Sequence, residues 1–246
     1  MAAASLADFI RSRTAVAAPP LIPEIRLHLS GEEPTALWER TERETGRSDL
    51  PPPFWAYPWA GGIALARYLL DHPERAAGRV VLDLASGSGL VAVAAARAGA
   101  ARVIASDIDP MAVAAIALNA AVNDVDILVT DADLLTGDLA GGAGGAGGVA
   151  DGGAGGALLA GQANLPAPDL VVVGDACYER RLAHRMLAFL RRAQSSGASA
   201  LLGDPGRAYL PATGLEPVAR YVVPAWPGLE DTEVKESRVW QLASGG

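Results

Sequence analysis

Apolar and polar positions fall into blocks that repeat a strand-then-helix order. Residues 80–84 form a continuous apolar run broken only by Asp83. Such a run, bounded by turn residues, predicts a strand buried on both faces. Small residues follow, Ala85-Ser86-Gly87-Ser88-Gly89, and residues 90–96 then read as a buried helix ending near Gly99. Val103-Ile104-Ala105 is a second apolar run, stopping at Ser106-Asp107. Strand, glycine turn, helix, strand and acid together make one βαβ nucleotide-binding unit.

The same pattern continues on both sides. Phe9 and Ile10 predict a short amphipathic helix near the N-terminus, and Leu27-His28-Leu29 a short strand. Leu37 begins a helical turn, and Pro51-Pro52-Pro53 forces polyproline-like backbone. Residues 1–53 therefore read as an N-terminal extension packed over a domain spanning 54–246. Residues 61–70 predict a helix. Pro110 suits the first turn of another, running toward Asn123. Residues 125–129 predict a third strand, 169–174 a fourth and 199–203 a fifth, with a helix from Glu179 between the last two. Residues 215–223 and 233–241 read as a closing antiparallel pair. The expected fold class is α/β: a doubly wound, mostly parallel, seven-stranded Rossmann-like sheet with a C-terminal antiparallel hairpin. Residues 137–163 are nearly all Gly and Ala, with nothing large enough to pack, and read as a disordered insertion in a loop.

Composition narrows the function classes. Half of the residues are hydrophobic, which supplies a sizeable core. The net charge of −8 and pI of about 4.9 argue against nucleic acid as the main partner. One cysteine, Cys177, excludes a disulfide framework, and three scattered histidines suggest no metal site. No apolar run reaches the roughly 20 residues of a membrane span, and nothing resembles a secretory leader. No membrane partner is expected, and the cytoplasm is the expected compartment. Nineteen arginines stand against the single Lys235, in keeping with arginine-biased codon usage.

Candidate chemistry gathers at the strand ends. Gly87 and Gly89 lack a Cβ, so a ligand can lie against the backbone of the turn. Asp107 ends the second strand about 20 residues past that turn, where a carboxylate accepts hydrogen bonds from ribose hydroxyls. Asp83 is an acid inside an apolar strand, costly unless paired or used. Residues 54–59 carry four large aromatics, Phe54, Trp55, Tyr57 and Trp59. They read either as a hydrophobic plug under the sheet or as a loop across a cofactor mouth, suited to adenosine or a cation. Asp131 and Asp133 follow the third strand, either as solvated loop acids or as partners of an adenine amino group. Asp175 and Tyr178 follow the fourth strand, where ligands of such sheets bind; Asp175 could equally cap the next helix.

Gly87-Ser88-Gly89-Leu90-Val91-Ala92 fits a loose NAD pattern. More of the stretch fits another one: two apolar residues, Asp83, three residues, Gly87-x-Gly89, then Asp107. It resembles the class I S-adenosylmethionine (SAM) methyltransferases. Asp175-x-x-Tyr178 is similar to a signature of the family 16, seven-β-strand protein methyltransferases. PPFWAYPWAGG, the DIDP turn, GDxxY, GDPGR and the closing Arg238-Val239-Trp240 resemble, in order, the electron transfer flavoprotein β-subunit lysine methyltransferases and their bacterial relatives. The resemblance implies SAM as cofactor, held by Trp59, Asp83, Ala85, Ser86, Gly87, Gly89, Asp107, Ile108, Asp131 and Asp175. It implies Asp175 and Tyr178 as catalytic residues, Asp175 orienting a lysine ε-amine and Tyr178 walling its channel. The implied partner is a protein, the electron transfer flavoprotein β subunit, with a ribosomal protein as a further substrate. Two alternatives stand beside it: a small-molecule N-methyltransferase acting on a nicotinamide-like amine, and a NAD-binding oxidoreductase or nucleotide sensor.

Overall fold

The apolar run at 80–84 becomes an inner strand of the main sheet. The computed structural model describes residues 3–46, 48–136, 158–159, 165–226, 229 and 233–243. In chain order the elements are α1 (Ala3–Arg13), β1 (Ala15–Ala17), β2 (Leu27–Leu29), α2 (Pro34–Thr45), α3 (Ala60–Asp71), β3 (Val80–Leu84), α4 (Leu90–Arg97), β4 (Arg102–Ser106), α5 (Pro110–Val122), β5 (Leu128–Thr130), β6 (Leu158–Leu159), β7 (Leu170–Gly174), α6 (Arg180–Ser195), β8 (Ser199–Asp204), β9 (Leu215–Pro224) and β10 (Val234–Leu242). The main sheet has the order β6-β5-β4-β3-β7-β8-β10-β9. Its strands are parallel through β8, and β10 runs antiparallel to both of its neighbours.

The sheet is thus the expected one with an eighth strand at its edge. Leu158–Leu159 pairs in parallel with β5, inside the stretch read as a disordered insertion; residues 137–157 and 160–164 lie outside the described residues. The third strand begins at Leu128 rather than Val125. The amide of Val125 still donates to Ala120 O and Asp124 has φ +53, so the chain there is closing α5. A small pair, β1 with β2, was not expected.

Alternation along the inner strands divides the core in two. Val81, Val103, Leu170 and Val172 pack with residues of α3 and α4. Leu82, Leu84, Ile104, Val171 and Val173 pack with residues of α6. The N-terminal segment shares this core: Ile22, Ile25, Leu27 and Leu29 are buried with α3 and α4. Polar ties fix it, since His28 N donates to Asn119 Oδ1 (2.7 Å) and Asn123 Nδ2 donates to Arg26 O (2.6 Å).

Helix α3 lies unusually close to the sheet because glycines face each other there. A methyl group added at Gly174 would stand 2.9 Å from Gly62 Cα, and one at Gly203 would strike the carbonyl oxygen of Gly61. Real Cβ atoms do not approach that closely, so backbone rests directly on backbone. This contact sets the first turn of α3 beside the carboxyl ends of β7 and β8.

Candidate active site

Strand order turns about β3, which has β4 on one side and β7 on the other. Ligands bind sheets of this kind at the carboxyl ends beside such a point. A cavity of about 650 Å³ opens there. Asp83, Ala85, Ser86 and Gly87 line it from β3; Asp107 and Ile108 from β4; Asp175 and Tyr178 from β7; and Phe54, Trp55, Tyr57 and Trp59 from the aromatic segment.

Asp83 is buried in β3 but not orphaned. Its Oδ2 accepts from Ser86 Oγ (2.5 Å) and from the Ala92 amide (3.0 Å). The second bond satisfies a first-turn donor of α4, a helix whose own N-cap, Gly89, offers no side chain. Burial pushes Asp83 up to about 7, against the pull of those two donors and aided by the charge of Asp107. A carboxyl that holds its proton more tightly folded than unfolded loses stability as pH rises between the two values. Asp83 therefore contributes a decline from about pH 4 to about pH 7, level above that, worth as much as roughly 4 kcal/mol. In Asp83→Asn the side-chain carbonyl can still accept both bonds, and the ionisation is gone. Urea unfolding of both proteins across pH 4–8 should show the wild type losing its advantage as pH rises; parallel curves would refute this.

Asp107 shapes the glycine turn. Its Oδ2 accepts from the Gly87 amide (2.8 Å) and its Oδ1 from the Asp109 amide (3.0 Å). Burial pushes its pKa above the usual carboxylate value, opposed by these backbone donors. Gly87 has φ +56, and a Cβ there would meet nothing nearer than Phe54 O at 4.0 Å. The backbone of Gly87 thus faces open cavity. Gly89 behaves differently: it does not line the cavity, and a Cβ there would stand 3.3 Å from Ile116 Cγ2. Its bareness serves the packing of α5 against the turn.

Asp131 lies outside the cavity and is exposed. In the loop after β5, Ala132 O accepts from Ser106 Oγ (3.2 Å), and Asp133 pairs with Arg185 of α6 (2.7 Å). The aromatic segment divides between its two readings. Trp55 and Tyr57 are buried among Ile10, Leu37 and Met111. Phe54 and Trp59 stay half-buried, and the Phe54 ring stands 5.0 Å from the exposed ring of Tyr178.

Asp175 follows β7 with left-handed backbone (φ +58), as Ala85 follows β3 (φ +55). It does not cap the helix after it. That cap is Glu179, which accepts from the amides of Arg181 and Leu182. Asp175 instead turns toward α3, where its Oδ2 accepts from the Gly61 amide (2.7 Å). Its Oδ1 accepts from Arg207 Nε (2.6 Å), and the Arg207 guanidinium lies 5.6 Å from the centre of the Trp59 ring. Reading the sequence missed Arg207 as a site residue, although it closes the quoted GDPGR turn.

S-adenosylmethionine fits this cavity. An open glycine backbone, the strand-end carboxylate of Asp107 and the partly exposed face at Ile108 suit a nucleoside. Asp83 and Ser86 add polar groups at the end of β3, and Asp175 and Tyr178 stand across the cavity. When bound, SAM supplies an electrophilic methyl group on a sulfonium sulfur. The cavity's own residues supply a carboxylate and aromatic faces, which together suit a cationic or amine-bearing guest.

Comparison with known proteins agrees. Residues 64–140 match the family model of ribosomal protein L11 methyltransferase (PrmA). The electron transfer flavoprotein beta subunit lysine methyltransferase of Xenopus laevis is 35% identical over 243 residues, covering 96% of this chain and 86% of the relative. That of Rattus norvegicus is 33% identical over 90% of this chain and 78% of its own length. That of Homo sapiens is 37% identical over 76% of this chain and 61% of its own length. A crystal structure of ribosomal protein L11 methylase from Lactobacillus delbrueckii subsp. bulgaricus superposes with a TM-score of 0.45 at 16% identity, covering 76% of this chain and 81% of that one. The chain belongs to the family of electron transfer flavoprotein beta subunit lysine methyltransferases, and it is a methyltransferase that uses S-adenosylmethionine.

Proposed function

We propose that this enzyme methylates lysine ε-amines of the electron transfer flavoprotein β subunit, with Asp175 and Tyr178 receiving the amine. The observation that carries the reading is the seat of Asp175. It is a buried carboxylate lining the same cavity as Asp107 and Gly87, flanked by Trp59 and Tyr178. Residues 54–246 act as the methyltransferase domain, with 1–53 packed over it.

The chemistry asks little of the protein beyond alignment. A lysine of ordinary pKa near 10.4 is protonated at neutral pH and must lose that proton before its lone pair can attack. Asp175 accepts an N–H of the neutral amine and so directs the lone pair. The rings of Phe54, Trp59 and Tyr178 exclude water from the alkyl chain. Asp107 holds the cofactor ribose, and Asp83 with Ser86 shapes the end of the site near β3. No helix among the described residues is long and apolar enough to cross a membrane. The single cysteine is a buried free thiol, in keeping with action in the cytoplasm.

The test is transfer of labelled methyl from SAM into purified electron transfer flavoprotein. The reading expects label on β-subunit lysines. Label appearing instead on a ribosomal protein or on a nicotinamide-like amine, with the flavoprotein unlabelled, would overturn the substrate and keep the reaction.

A further inference from the structure

We propose that Arg207 is a positioning residue for methyl transfer, fixing the direction in which the Asp175 carboxylate meets the amine. The proposal rests on the reading of Asp175 given above. Arg207 reaches Asp175 from a different strand end, 32 positions along the chain, through a 2.6 Å bond to Oδ1. That geometry is built rather than incidental. Asp204 Oδ1 accepts from the amides of Gly206 and Arg207, both at 2.7 Å, and this sets the turn from which the side chain projects. The guanidinium then lies over the Trp59 ring, whose Nε1 is itself tied to Phe54 O (2.9 Å). A planar guanidinium between a ring face and a carboxylate has little freedom to wander.

The two oxygens of Asp175 are held from two sides. Arg207 donates to Oδ1 from the end of β8, and the Gly61 amide donates to Oδ2 from the first turn of α3. Two bonds from two elements set the plane of the carboxylate, and with it the lone pairs left to face the cavity. Without Arg207 the group would keep one anchor and could turn about it.

The test is the split of steady-state constants on the full chain, with electron transfer flavoprotein as the methyl acceptor. In Arg207→Gln kcat should fall by about tenfold or more, because a misaimed carboxylate presents the amine off line. KM for the flavoprotein and the Kd for SAM should stay within about threefold. Arg207→Lys, a point charge without the planar fork, should restore only part of the loss. An unchanged kcat in Arg207→Gln would overturn the proposal. So would a fall in kcat matched by a loss of SAM affinity, the mark of a merely structural residue. No methylation of the flavoprotein by the wild type would sink the substrate reading instead, and the same split on the amine that does take label would then decide the role of Arg207.

Discussion

Gly203→Ala is expected to destabilise the protein by about 3 kcal/mol, the upper part of the range for overpacking a filled core. The new methyl would strike the carbonyl oxygen of Gly61 and come within 2.8 Å of Leu65 Cβ. Neither is the loose end of a flexible side chain. One is backbone in the first turn of α3, and the other is fixed to that helix directly. Relief requires α3 to lift from β7 and β8, and the lift would also stretch the bond from the Gly61 amide to Asp175. Two losses should therefore appear together: a lower urea midpoint and weaker methyl transfer. Gly31→Ala is the control. A Cβ there meets nothing within 4 Å and the backbone is not left-handed, so its midpoint should stay within about 0.5 kcal/mol of wild type. A Gly203→Ala protein as stable as that control would show that α3 is free to shift, and the close glycine contact would lose its role.

That contact also marks where reading the sequence ran out. The β3–α4–β4 unit was legible because its strands are continuous apolar runs and its turn is made of small residues. Asp107 and Gly87 could be placed for the same reason, since their positions follow from local chain geometry. Gly61 and Gly203 could not. Each sits in a string, AGG or LLGD, that looks locally like a turn, while the reason for its bareness is a partner more than 100 positions away. Arg207 escaped for a similar reason: its motif was visible but its target was not. Gly89 and Asp131 do not line the cavity. Both fit a ligand-binding pattern by spacing. A Cβ at the first would meet Ile116, and the second stands in a loop tied to α6 through Asp133. Spacing along a chain reports which residues can share an end of the sheet. It does not report which way a loop leaves that end.

Asp175→Asn should lower kcat/KM for methylation of the flavoprotein by about 10²- to 10³-fold, within the range for a positioned acid–base group. It should do so while weakening SAM binding by less than about tenfold, and the choice of asparagine is what makes the test informative. Asp175 has a structural duty as well as the proposed chemical one, since its Oδ2 satisfies the Gly61 amide at the start of α3. Alanine would abolish both duties, leaving a buried donor without an acceptor and the Arg207 guanidinium without its partner, so lost activity could reflect a displaced helix. Asparagine keeps a carbonyl for Gly61, so α3 stays tied, and gives up the charge and the acceptor that meets Arg207. If α3 capping were the whole purpose of the residue, Asp175→Asn would methylate nearly as fast as wild type. If the carboxylate directs the amine, the variant fails with its fold intact, because the amide group turned toward the cavity is a donor where an acceptor is required. Unfolding midpoints, SAM affinity by calorimetry and initial rates on one preparation separate the two. A stable protein that binds SAM and does not transfer methyl assigns the chemistry to Asp175, and a stable, active one assigns the residue to the helix alone.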